Sequence, residues 1–115
     1  MVLIGDAVMV FNLGVFIGIL LIVLSIPLLF DTVKPNQWYG FRTSKTLSDP
    51  EIWYKANCFA AKNMIIAGAV IIAEFVILPF FKHRNVMLSI VLFYFMVSIP
   101  VLVAIVRSLL YLRKL

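Results

Sequence analysis

Three long runs of apolar residues, spanning 7–30, 64–81 and 86–106, leave this chain few folds to choose from. An α-helix rises 1.5 Å per residue, so about 20 residues cross a hydrocarbon core of about 30 Å. Inside lipid every backbone group must be paired within the protein, which only helices and closed barrels achieve. The runs do not alternate at period two and are too few to close a sheet, so the barrel is excluded. The first run is interrupted only by Asn12, Ser25 and Pro27, and Pro27 falls in its last turn, where a lost hydrogen bond costs least. The second contains Glu74. The third carries Ser89, Ser98 and Pro100, which predicts a kink in its later half. The expectation is an all-α membrane protein: one domain, three transmembrane helices.

Composition agrees. Of 115 residues 64% are hydrophobic and 13% charged, against about 45–50% and about 25% in soluble domains. Disorder, a disulfide scaffold and a nucleic-acid-binding domain are excluded, despite a formal charge of +5. In a membrane protein such an excess reports topology and contact with anionic lipid. Cys58 and His83 are the only residues of their kinds, so no intrachain disulfide and no zinc-ligand spacing arise. No metal or cofactor is expected. Met1 to Val10 lacks the basic region of a secretory signal, so the first run reads as a retained span.

Basic residues set the orientation. The segment 31–63 holds Lys34, Arg42, Lys45, Lys55 and Lys62, and the C-terminal flank holds Arg107, Arg113 and Lys114. Only Lys82 and Arg84 lie on the other side. The positive-inside rule then predicts N-out/C-in, with 31–63 as a cytoplasmic loop. Its first half, to Leu47, is rich in turn residues. Its second half reads as an amphipathic interfacial helix leading into span two, with Ser48 and Glu51 at capping-box spacing. Trp38, Tyr39, Trp53 and Tyr54 suit a headgroup-level aromatic belt.

Glu74 is the sharpest single feature. It lies about 18 Å from the inner face by helical rise, where charge is costly and intramembrane acids are functional candidates. Tyr94 and Gly18 fall at matching depth, so the expected arrangement has Gly18 opening room for Glu74 to meet the Tyr94 hydroxyl. The bland alternative is a neutral acid that holds helices together. Gly14 and Gly18 form a GxxxG pair, and Ala69 with Ala73 a small-xxx-small pair, suited to packing inside the monomer or to a homo-oligomer seam. Arg42, Thr43, Lys45 and Thr46 gather donors beside Gly40, able to bind a lipid phosphate or acidic partner. Equally, Arg42 caps helix carbonyls or pairs with Asp31. Asn36 and Asn57 read as turn and junction residues. No nucleophile–base pair and no phosphate-cradling loop can be assembled, so no enzyme is expected.

The stretch Lys34-Pro35-Asn36-x-x-Tyr39-Gly40-Phe41-Arg42-Thr43, then Thr46-Leu47, then Trp53-x-x-Ala56-Asn57, resembles the motif of the SdpI family. The namesake of that family is a membrane immunity protein against a sporulation-delaying toxin. The resemblance implies a bacterial inner-membrane protein that protects its own cell from a membrane-active peptide, with signalling to a cytoplasmic regulator. Cys58 and Ala61 depart from the pattern, which tends to a basic residue and a glycine there. Two rivals remain: a small transporter or channel subunit using Glu74, and a membrane scaffold whose loop recruits a soluble partner.

Overall fold

The computed structural model describes residues 3–77 and 86–115, and among them every regular element is an α-helix. The elements are α1 (Leu3–Leu29), α2 (Ser44–Ser48), α3 (Pro50–Ile77) and α4 (Val86–Leu112). Three stretches, Val8–Leu29, Pro50–Ile77 and Ile90–Leu112, are long and apolar enough to cross a membrane. This is the architecture of a multi-pass membrane protein. The end of the second run and the turn holding Lys82, His83 and Arg84 lie outside the described residues.

The third helix runs on past residue 106 to Leu112, carrying Arg107 on its last two turns. The other differences concern the loop. Its second half does form a helix, but one continuous with span two: α3 is 28 residues without a break. One face of its first turns is covered by protein, with Trp53, Ala56, Asn57 and Ala60 buried, while Glu51, Lys55 and Lys62 are exposed, the amphipathic division the sequence predicts. The capping box also sits elsewhere. Ser48 turns back to the Lys45 carbonyl at 2.6 Å. Asp49 starts α3 instead, its Oδ1 accepting Glu51 N at 2.8 Å and its carbonyl accepting Trp53 N at 2.9 Å. Pro50 follows at the first helical position, where its missing N–H is no loss. The box itself is Thr43 with Thr46, which caps the short α2.

α3 lies between the other two long helices. It packs closely along α1, less closely on α4, and α1 barely touches α4. Glycine makes the α1–α3 approach possible. A Cβ on Gly18 would stand 2.7 Å from the Gly68 carbonyl oxygen, and one on Gly68 2.6 Å from that of Gly18. Gly14 lies flat on the Phe75 ring, where a Cβ would come within 2.5 Å. Phe75 meets Phe93 of α4 on its other side, centroids 5.5 Å apart and edge-on. The glycine pair of α1 is thus an intramolecular seam. Ala69 and Ala73 are exposed and take no part in it.

Polar residues inside the helices are tolerated because they bond back one turn. Ser25 donates to Leu21 O at 2.7 Å, Ser108 to Ala104 O at 2.8 Å and Asn63 to Phe59 O at 3.0 Å. Back-bonding of this kind satisfies a hydroxyl or amide without water.

Candidate functional site

The motif residues build a folded plug at one end of the three helices. α1 stops at Asp31, which adopts φ 58°, and Thr32 N returns to the Pro27 carbonyl at 3.2 Å. That six-to-one bond closes a Schellman-type cap with aspartate where glycine is usual. Asn36 then nucleates a turn using its full bonding capacity. Its Oδ1 accepts Trp38 N at 2.8 Å and Tyr39 N at 2.7 Å, and its Nδ2 donates to Lys34 O at 2.7 Å and Tyr39 O at 3.1 Å. Lys34 and Pro35 stay exposed on its rim. The Tyr39 hydroxyl donates to the Leu24 carbonyl of α1. Burial pushes the Tyr39 phenol above its usual pKa.

Asn57 of α3 receives the turn. Its Oδ1 accepts Phe41 N at 2.6 Å, while Nδ2 donates to Phe41 O at 3.3 Å and Trp53 O at 2.9 Å. Gly40 must be glycine here: φ is 121°, and a Cβ would stand 2.9 Å from Asn57 Oδ1 and 3.0 Å from the Trp53 ring. Trp53, fully buried, donates Nε1–H to the Val33 carbonyl at 2.9 Å. It is a core residue holding the loop down, not a headgroup-level anchor. Trp38, 89% exposed, keeps that possibility alone of the two.

Each residue of the donor cluster beside Gly40 makes an internal bond. Arg42 gives Nη1–H to the Gln37 carbonyl, neither to a helix end nor to Asp31. Thr43 and Thr46 cap each other, with Thr43 N donating to Thr46 Oγ1 at 2.7 Å, and Leu47 N returns to Thr43 O at 3.0 Å. Lys45 reaches across to the Leu112 carbonyl at 2.9 Å, capping the C-terminal end of α4. A cation there also favours the negative end of the helix dipole. Cys58, where a basic residue was expected by resemblance, places Sγ 3.6 Å from the Leu29 carbonyl at the end of α1.

Glu74 belongs to a second feature, a crevice of about 390 Å³ between α3 and α4. Its Oε2 is buried with no hydrogen-bond partner among the described residues. Pro100 faces the same crevice, and Asn63 with Arg107 forms its other end, Nε to Oδ1 at 3.1 Å. The expected trio does not assemble. Tyr94 is 65% exposed and lies edge-on to Phe93, while Gly18 is packed on Ile72 and Gly68. Counting from a membrane face fixes height but not azimuth. Gly68 and Glu74 are six residues apart, so at about 100° per residue they point to different sides of α3. The Asn63–Arg107 pair was missed, although both residues flank their spans at the same height and depth counting could have joined them.

A model of the SdpI/YfhL protein family matches residues 32–110, which takes in the loop, α2, α3 and nearly all of α4. Among curated proteins the chain is similar to the uncharacterized protein YfhL of Bacillus subtilis (strain 168), 37% identical over 54 residues. That match covers 47% of this chain and 49% of YfhL, so the chain spans about half the length of that relative. No solved structure matches.

Proposed function

The chain belongs to the SdpI/YfhL protein family, and from that premise we propose that it is an immunity protein of the bacterial cytoplasmic membrane, protecting its own cell from a membrane-active peptide toxin. It acts by binding, not by catalysis, and needs no cofactor. The observation that carries this reading is the α3–α4 crevice, with the unpartnered Glu74 Oε2 inside it. Lipid tails are as apolar as leucine, so a peptide in the bilayer gains nothing from apolar burial alone. Close packing and a satisfied polar group must hold it, and Glu74 offers the second.

The orientation is N-out/C-in, because segments 31–63 and 107–115 carry eight of the ten lysines and arginines. The first turns of α3 then lie at the inner interface, and the motif loop faces the cytoplasm. There it fixes the helix ends and presents Trp38 to a soluble regulator. A second copy of the chain on the exposed apolar faces of α1 and α4 would complete a thin bundle.

The test is membrane potential in sensitive cells challenged with the candidate peptide toxin from the gene's own neighbourhood. Cells with the wild-type chain hold their potential while vector cells depolarise, and Glu74→Gln at matched membrane level loses protection. Depolarisation of wild-type cells like the vector control overturns the reading. The same orphaned oxygen favours a second reading, a small transporter or channel subunit in which Glu74 handles a proton or cation. Its signature is a proton flux in vesicles that Glu74→Gln abolishes, with no protection in cells.

A further inference from the structure

On the flank of α3 where α1 and α4 diverge, near the loop, the structure holds a slot of about 350 Å³. Leu24 and Leu28 of α1, Ile105 of α4 and the loop residues Gly40 and Phe41 line it. The three hydroxyls on its wall have their protons committed elsewhere: Ser25 donates to Leu21 O, Ser108 to Ala104 O and Tyr39 to Leu24 O. The slot therefore offers carbon, at a height where the chain is most basic. Segments 31–63 and 107–115 hold eight basic residues against three acidic ones, Asp31, Asp49 and Glu51. Glu51 is already paired with Lys55 at 2.9 Å.

We propose that this slot seats one acyl chain of an anionic phospholipid, whose phosphate is held by Arg42 and by Arg113 and Lys114. Arg42 directly follows the lining residue Phe41, is exposed, and uses Nη1 on Gln37, leaving other guanidinium donors. Arg113 and Lys114 are exposed at the end of α4, just beyond the turn that carries Ser108. An acyl chain leaving bulk lipid for an apolar slot gains no hydrophobic free energy. The cations at the interface therefore decide which lipid stays. The motif segment Tyr39-Gly40-Phe41 becomes one wall of a lipid site, a role distinct from holding the helix ends.

The test uses the full chain in vesicles of equal phosphatidylglycerol and phosphatidylcholine, extracted gently and weighed by native mass spectrometry. Wild type retains one phosphatidylglycerol in preference to phosphatidylcholine by about a hundredfold, the combined effect of three interfacial cations. Ile105→Trp and Leu24→Trp fill the slot from opposite walls and lose the bound lipid; these residues are 39% and 47% exposed, so neither change disrupts a buried core position. Ile99→Trp, in the α3–α4 crevice, keeps it. The double change Arg113→Gln with Lys114→Gln keeps a lipid and cuts the preference to about fivefold, the share of Arg42 alone. Equal retention of both lipids by wild type overturns the proposal. So does full retention of phosphatidylglycerol by both slot-filling variants, or a wild-type monomer or dimer that carries no lipid.

Discussion

Asn57 holds the backbone of Phe41 from both sides, accepting its N–H at 2.6 Å and donating to its carbonyl at 3.3 Å. A side-chain amide here does what a neighbouring strand would do in a sheet. It joins a loop without regular structure to the most buried helix of the protein, and it does so beside a glycine that no other residue can replace.

Asn57→Asp keeps the acceptor and loses both donated bonds, to Phe41 O and Trp53 O. Leaving such groups unpaired costs about 1–3 kcal/mol. The unfolding midpoint of the purified variant falls accordingly, and the loop becomes cleavable by trypsin at Arg42 while the wild type resists. A protease pattern identical to wild type would show that the loop is held by other contacts.

Gly68→Ala drives a methyl group against the Gly18 carbonyl, and overpacking of this sort costs about 1–3 kcal/mol. The expected outcome is a lowered unfolding temperature and weaker disulfide cross-linking between cysteines introduced along the α1–α3 seam. Ala69→Leu, on the exposed side of the same helix, leaves both unchanged. Equal behaviour of the two variants would place the seam elsewhere.

The two tryptophans differ sharply in environment, one fully buried and one 89% exposed. Trp53→Phe leaves a fluorescence that aqueous acrylamide quenches readily. Trp38→Phe leaves a bluer emission that resists it. Similar quenching constants for the two variants would contradict the burial of Trp53.

Much of this arrangement was legible in the chain. Apolar runs of sufficient length dictate the three long helices, since lipid tolerates so few alternatives. Asn36 and Asn57 read as turn and junction residues because asparagine competes well for backbone groups, and both do so. Gly14 and Gly18 stood out as a small-residue pair. Their partner Gly68 does not stand out, because it has no second glycine one turn away and the small pair beside it, Ala69 and Ala73, lies on the exposed face. Trp53 was misread for a related reason: an aromatic near a membrane end suits a headgroup belt, and only the fold of the preceding loop reveals a carbonyl waiting for its indole N–H. Glu74 and Tyr94 share a height but not a direction, which no count along one chain can supply.

Cys58→Lys places a cation at the end of α1, where the thiol now faces the Leu29 carbonyl at 3.6 Å; Asp31 lines the same hollow, as do Lys62 and Lys55, the latter already paired with Glu51. A charge at a helix C-terminus contributes about 0.3–1 kcal/mol. The variant is expected to unfold slightly later than wild type at low salt, with the gain shrinking as salt is added. A destabilised Cys58→Lys would mean the hollow cannot admit the longer side chain.

The unbroken course of α3 makes it a lever. From Glu74 to Trp53 is about 32 Å along the axis, and every residue between them is helical. A tilt of about 5° at the crevice end would swing the other end by about 3 Å, as far as a hydrogen bond is long. Val33 and Phe41 must then travel with the rod or let go of it. A tilt of α3 at the Glu74 carboxyl would therefore reach the loop through the rod itself, with no relay of side chains in between.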